Sequence, residues 1–181
     1  MRLISFLFIV LFYVSCSENS TKHFQNYFDT KKFFISTIEK FKKGNYTLSK
    51  DMSFNSKQSH VEIKNVEWEK ELSMFANIDL LKPAYRDKFH VDSTRQDSSS
   101  YTLKYTSVDS KTDIKKLEIT SDFFKKIPKK IVIQLSEKNN LYTSETELEY
   151  FADSAYSISG KQKTRLLESS SYLVKGQIFI N

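Results

Sequence analysis

A two-residue alternation of apolar and polar side chains in the C-terminal half constrains the fold more than any other feature of the chain. Seven segments between positions 88 and 180 show it: KFHVDS, SYTLKYTS, IKKLEITS, KKIVIQLS, LYTSETELEYF, AYSISGKQ and SYLVKGQIFI. This period predicts β-strands. Because the connections between the segments are too short for crossover helices, we expect consecutive strands to pair antiparallel.

The segment TKKFFISTIEKFKK near the start of the chain predicts a helix. Asp29 is suited to cap its first turn, and Phe28 and Phe33 are placed to form a hydrophobic staple. Three residues form its apolar face at helical spacing: Phe34, Ile38 and Phe41. Gly44 is expected to end the helix.

Residues 46–64 predict a polar β-hairpin, and Val66 to Leu81 predict a second helix that ends before Pro83. The apolar stripe of this second helix contains Trp68, Leu72, Phe75 and either Ile78 or Leu81. The predicted fold is therefore α+β, with about two N-terminal helices packed on one face of a curled, mostly antiparallel β-meander of about seven strands. We expect residues 28–181 to form one domain, since no repeat or linker is visible.

The first fifteen residues have the pattern of a secretory signal peptide. Arg2 is followed by the apolar run LISFLFIVLFYV, and polar residues begin immediately after Cys16. A membrane-spanning helix needs roughly 20 apolar residues, and this run is shorter.

Cys16 lies where that signal would be cleaved. The sequence Tyr13-Val14-Ser15-Cys16 resembles the lipobox of bacterial lipoproteins, in which the cysteine becomes the acylated N-terminus of the mature protein. The resemblance implies a chain anchored in the bilayer through acylated Cys16, with residues 16–27 as a tether. The alternative is an ordinary secretory signal with a coincidental cysteine. Ser17 favours the outer membrane. The sequence does not show whether the domain faces the periplasm or the cell exterior.

Two longer stretches resemble small uncharacterised lipoproteins of Bacteroidota: Val66–Asp92 and Glu149–Gln177. The shared pattern is a Trp-x-x-Glu-Leu helix, a Lys-Pro-Ala-aromatic-Arg-Asp turn and a Tyr-rich meander. Here the pattern residues are Trp68, Glu71, Leu72, Asp79, Lys82, Pro83, Ala84, Tyr85, Arg86 and Asp87. The resemblance implies a location in the bacterial cell envelope and no known activity, so it supplies no catalytic residue.

The composition excludes several kinds of chemistry. One Cys forms neither an internal disulfide nor a Cys-based zinc site, and three Gly exclude glycine-rich phosphate loops. The three histidines lack the spacing of a metal site, and no nucleophile motif is present, so no cofactor is predicted. The net charge of +6 fits anionic lipid headgroups better than nucleic acid in an exported protein, and solvation of dispersed charge remains the simpler interpretation.

The segment from Asp79 to Asp87 is the candidate recognition corner. Asp79, Lys82, Tyr85, Arg86 and Asp87 would there bind a carboxylate, a phosphate or a partner chain. The alternative is a helix-to-strand corner whose charges pair with each other and fix the turn.

Three hypotheses for the function follow. The first is a membrane-anchored, non-enzymatic binding or accessory lipoprotein of the cell envelope. The second is a carrier or sensor of an apolar ligand, which requires a cavity between helices and sheet. The third is an envelope hydrolase with two carboxylates in a cleft, at least one of them with a raised pKa.

Overall fold

The computed structural model describes residues 27–165 and 168–181. The helices are α1 (Thr30–Lys43), α2 (Trp68–Glu71) and α3 (Ser73–Ala76), followed by a 3-10 turn at Pro83–Tyr85. The strands are β1 (Tyr46–Phe54), β2 (Lys57–Ile63), β3 (Phe89–Arg95), β4 (Ser100–Ser107), β5 (Ile114–Asp122), β6 (Pro128–Lys138), β7 (Tyr142–Phe151), β8 (Ala155–Thr164) and β9 (Ser170–Ile180).

All nine strands belong to one antiparallel sheet with the order β2-β1-β9-β8-β7-β6-β5-β4-β3. Strands β3 to β9 form a meander, as the short connections predict. The hairpin β1–β2 joins the sheet beside β9, so the first strand in sequence pairs with the last. Strands β2 and β3 are left at the two edges.

One face of the sheet is covered by the helices, and we call it the covered face. Its side chains occupy paired positions across neighbouring strands. One row consists of Tyr105, Leu117, Ile133, Leu148 and Ile158. The next row consists of Leu103, Ile119, Ile131, Tyr150 and Tyr156. Nine of these ten side chains are buried, so they form the floor of the core.

Helix α1 confirms its sequence prediction in detail. The Asp29 carboxylate accepts a hydrogen bond from the Lys32 amide at 2.9 Å, and the Phe28 and Phe33 rings are 5.8 Å apart. The predicted apolar face is buried, and Phe34 packs against Tyr150 on the sheet. The helix ends at Gly44 for a different reason than expected, because its φ of −95° is open to any residue. A Cβ there would instead overlap the ring of Tyr46.

The prediction of one helix from Val66 to Leu81 is wrong. Two four-residue helices, α2 and α3, meet at Leu72, whose ψ of 12° interrupts the helical geometry. The Ser73 hydroxyl donates to the carbonyl of Lys70 at 2.7 Å, a local bond that competes with helix continuation. Of the two alternatives for the end of the stripe, Ile78 is buried and Leu81 is not. Because the chain leaves the helix early, Leu80 also enters the core.

The sheet also has more strands than the seven or so expected. The seven alternating segments all form strands, and the hairpin predicted at residues 46–64 adds two more to the same sheet. Periodicity identified the hairpin but did not show that its first strand pairs with β9.

Several sequence predictions concern residues outside the described ranges. The signal peptide, Cys16 and the tether up to residue 26 lie there. Tyr27 is described, and its ring packs edge-on against Tyr105 at 5.6 Å and Phe89 at 6.3 Å. Within residues 27–165 and 168–181, no helix is long and apolar enough to cross a bilayer.

Candidate functional site

The face of the sheet opposite the helices, which we call the free face, carries a polar groove. The groove has a volume of about 690 Å³ and runs from β5 across β6, β7, β8 and β9 to β1. Its floor is a row of side chains at paired strand positions: Gln134, Glu147, Ser159, Leu173 and Ser53. Strand alternation places these residues on the free face because their neighbours in sequence belong to the covered face.

Hydrogen bonds fix part of the groove lining. The Gln134 amide donates to the Glu147 carboxylate at 2.9 Å, which orients both side chains. Glu145 and Lys161 occupy directly paired positions on β7 and β8, so opposite charges face each other across the groove. The arrangement offers hydroxyl, amide, carboxylate and ammonium groups on a rigid strand scaffold.

Two further cavities continue the groove in opposite directions. One, of about 480 Å³, shares Glu145, Lys161 and Ser171 with it. The other, of about 450 Å³, shares Ser53 and Leu173 and reaches His60 on β2. The free face therefore holds one extended polar depression that suits a chain-like ligand better than a compact one.

The covered face holds a buried polar cluster of Lys50, Glu71 and Tyr156. The Lys50 ammonium donates to Glu71 Oε1 at 2.6 Å, and the Tyr156 hydroxyl donates to the same oxygen. The Lys50 and Glu71 side chains are 19% and 13% exposed, and Tyr156 is buried. Glu71 thereby ties α2 to strands β1 and β8.

This cluster fixes α2 on the sheet. Burial first, and then the hydrogen bond to Glu71, raises the pKa of Tyr156 well above its ordinary value. The phenol therefore stays protonated and remains a donor. The Trp-x-x-Glu-Leu pattern predicted Glu71 on a helix and did not indicate this role. Glu71 lies three residues after Trp68 and four before Phe75, so it shares the apolar stripe with them. This spacing was the signal that its side chain points towards the core.

At the predicted recognition corner, the side chains of Asp79 and Tyr85 make contacts that hold the turn. Asp79 accepts from the Leu81 amide at 3.0 Å and lies 3.8 Å from the Lys31 ammonium of α1. The Tyr85 hydroxyl donates to Asp113 at 2.6 Å, and burial followed by this bond raises the pKa of Tyr85. These contacts connect the corner to α1 and to the segment before β5.

The other three corner residues, Lys82, Arg86 and Asp87, have exposed side chains. Asp87 has a φ of 57° and ends the turn in the left-handed region. Its charge also contributes, after burial, to the raised pKa of Tyr27. The five residues therefore lie along one surface turn, and the groove is built from other strands.

The structure also bears on the requirements of the two alternative hypotheses. A carrier of an apolar ligand needs a cavity between the helices and the sheet. In this region the covered face has closely packed rings, with the Phe34 ring centre 5.1 Å from those of Phe75 and Tyr150. A hydrolase needs a carboxyl group with a raised pKa. Among the described residues, the carboxyl groups with a shifted pKa all move downward: Glu69, Asp97, Asp109 and Asp122.

The fold and groove define a single-sheet α+β protein with a polar strand surface. No protein-family model matches the chain, and no curated protein shows significant similarity to it. The resemblance to Bacteroidota lipoproteins therefore stays a prediction from the sequence, and the function has to be argued from the groove.

Proposed function

We propose that this protein is a lipid-anchored, non-enzymatic binding module of the bacterial cell envelope, and that the groove on the free face is its binding surface. One observation carries the proposal. The covered face is filled with side chains, whereas the free face holds an open polar depression of about 690 Å³ in the middle of a rigid sheet. Concave sites on rigid elements with a few convergent polar groups are typical of binding sites.

The chemistry of the lining favours an extended polar ligand. Serine hydroxyls at Ser53, Ser159 and Ser171 and the Gln134 amide provide neutral donors and acceptors. The charged groups are two carboxylates and two ammonium groups, from Glu145, Glu147, Lys115 and Lys161. Leu173, Leu135 and Tyr172 add apolar contacts to the lining. A glycan bearing hydroxyl, acetamido and peptide groups, as in peptidoglycan, matches this set.

A pair of variants on one strand tests the proposal. Ser159 lies in the groove, and Ser157 lies two residues away on the same face of β8 but outside the groove lining. Ser159→Tyr should fill the groove and weaken binding of soluble peptidoglycan fragments at least tenfold in calorimetry. Ser157→Tyr adds the same ring on the same strand and should leave the affinity unchanged. Absence of binding by the unmodified protein, or equal loss in both variants, would contradict the proposal.

The lipid anchor is tested separately at Cys16. Acylation of this thiol would make the mature protein partition into the detergent phase, since each buried methylene contributes about 0.8 kcal/mol. Cys16→Ala should move the protein to the aqueous phase, and globomycin should cause the unprocessed precursor to accumulate. Unchanged partitioning of the Cys16→Ala protein would show that the cysteine is not the anchor.

A further inference from the structure

The turn between β5 and β6 exposes apolar side chains among lysines. Phe124 is 77% exposed, Ile127 is 55% exposed and Phe123 is 41% exposed. Residues 122–130 also contain four lysines, at 125, 126, 129 and 130, against one acid, Asp122. We call residues 122–130 the cationic tip. Exposed large apolar side chains of this kind mark interaction surfaces when they cluster.

The cationic tip is held in a defined shape by its own backbone. The Asp122 carboxylate accepts from the amides of Phe124 at 3.0 Å and Lys125 at 2.9 Å. The Lys126 amide donates to the Asp122 carbonyl at 2.9 Å, and Lys126 adopts a φ of 55° to close the turn. These bonds fix the apolar side chains at the end of the sheet. Binding therefore costs little further conformational entropy.

Phe123 supports the tip from below. The Arg95 guanidinium lies 4.7 Å from its ring centre, Tyr101 packs edge-on at 6.3 Å, and the Phe123 amide donates to the Ser99 carbonyl at 2.8 Å. Phe124 then stands edge-on against Phe123 at 5.6 Å and projects furthest into solvent. The patch is thus anchored on β3 and β4 as well as on its own hairpin.

The lysines of the tip differ in their partners. Lys129 pairs with Asp122 at 3.2 Å, and Lys130 pairs with Glu149 at 3.0 Å while lying 4.9 Å from the ring centre of Phe151. Lys125 and Lys126, beside the most exposed ring, are exposed, and neither forms an ion pair within residues 27–165 and 168–181. Apolar side chains bordered by such lysines complement a bilayer, whose acyl boundary accepts the rings while its anionic headgroups attract the ammonium groups.

We infer that the cationic tip docks the domain on an anionic phospholipid bilayer, with Phe124 and Ile127 entering the headgroup boundary and Lys125 and Lys126 contacting lipid phosphates. This contact is independent of Cys16 and of the groove. The groove residue Ser136 lies eight positions along β6 from Pro128, roughly 25 Å at the rise of a strand. A docked tip therefore leaves the groove away from the membrane and accessible.

Vesicle flotation with the chain of residues 17–181 tests the inference without the lipid anchor. This chain retains every residue whose contacts are described, and circular dichroism confirms its fold. It should float with vesicles of 70% phosphatidylcholine and 30% phosphatidylglycerol, weakly with pure phosphatidylcholine, and less as salt increases. Equal flotation with both vesicle types, or flotation with neither, would overturn the inference.

Matched variants at the two ends of the sheet locate the contact. Phe124→Ser with Ile127→Ser should weaken binding at least tenfold, and Lys125→Glu with Lys126→Glu about 30-fold or more, since each lysine near an anionic surface contributes about fivefold. The apolar control is Val108→Ser with Leu141→Ser, at exposed positions of the opposite end, and the charge control is Lys111→Glu with Lys138→Glu. Equal losses in the tip and control variants would overturn the assignment to the tip.

Discussion

The two faces of the same sheet are built for different tasks. On the covered face, rows of aromatic and aliphatic side chains pack against α1, α2 and α3. The Lys50–Glu71 ion pair lies near the floor and is held there by the Tyr156 hydroxyl. On the free face, the corresponding rows hold serine, glutamine, glutamate and lysine around a groove. Strand alternation alone assigns neighbouring residues to these opposite environments.

The difference teaches where function resides in this molecule. Removal of a side chain on the covered face should cost stability, because closely packed atoms there lose their partners. Removal or enlargement of a side chain on the free face should leave stability nearly unchanged and alter binding. The following changes test that division, from the largest expected effect to the smallest.

Phe34→Ala should produce the largest loss of stability. Phe34 is fully buried between Phe75 and Tyr150, so truncation leaves a cavity that costs about 3–5 kcal/mol in the free energy of unfolding. The neighbour Ile35 is 47% exposed, and Ile35→Ala should cost less than about 1 kcal/mol. Urea denaturation measures both, and similar losses in the two variants would show that the covered face is not tightly packed.

Gly176→Ala should be the next most damaging change. A Cβ at Gly176 would overlap the ring of Tyr156, which is buried and tied to Glu71, so overpacking should cost about 1–3 kcal/mol. Gly160 is the matched control, since a Cβ there would overlap the half-buried ring of Tyr172. Tyr172 has room to move towards solvent, so Gly160→Ala should cost less in thermal denaturation. A larger loss for Gly160→Ala would contradict this account of the two rings.

Stability should fall at alkaline pH because several tyrosines on the covered face have raised pKa values. Burial raises the pKa of Tyr105, Tyr150 and Tyr156 above the ordinary value of 10.0. The unfolded chain then loses these protons at lower pH than the folded chain, so stability is full below pH 10 and declines as pH rises above it. Urea midpoints at increasing pH measure the slope, and Tyr156→Phe should reduce it. A midpoint that is constant well above pH 10 would disprove the effect.

Tyr85→Phe should have the smallest effect. It removes the hydrogen bond to Asp113 and retains the ring, which packs edge-on against Phe89 at 5.9 Å. The expected loss is about 1 kcal/mol, typical of a single hydrogen bond. Lys82→Ala at the same corner removes an exposed side chain and should change stability by less than about 0.5 kcal/mol. If Lys82→Ala costs more than Tyr85→Phe, the fixed-turn interpretation of the corner is wrong.

Local features of the fold could be read from the sequence, and long-range pairing could not. The Asp29 cap, the Phe28–Phe33 staple and the seven alternating strands depend on residues close in sequence, and all were found. The pairing of β1 with β9 joins residues more than a hundred positions apart, which no local period specifies. The prediction of a single second helix was wrong because the apolar stripe continues in the sequence across the break at Leu72.

The candidate site was harder to predict than the fold. The charge cluster from Asp79 to Asp87 stands out in the sequence, but it spans one surface turn. The groove takes its lining from six strands, which contribute ordinary polar residues such as Ser53, Ser159 and Ser171. Only the register that places them side by side makes them a surface. The same register places Lys50 and Tyr156 on either side of Gly176, where Glu71 of α2 contacts both.

Backbone NMR of residues 17–181 with soluble peptidoglycan fragments tests the division between the two faces most directly. The account predicts amide shift changes centred on Gln134, Glu147, Ser159 and Leu173, with the buried core rows unaffected. Shift changes centred instead on the contacts among Phe34, Phe75, Tyr150 and Tyr156 would show a ligand between helices and sheet, and would contradict the assignment of binding to the free face.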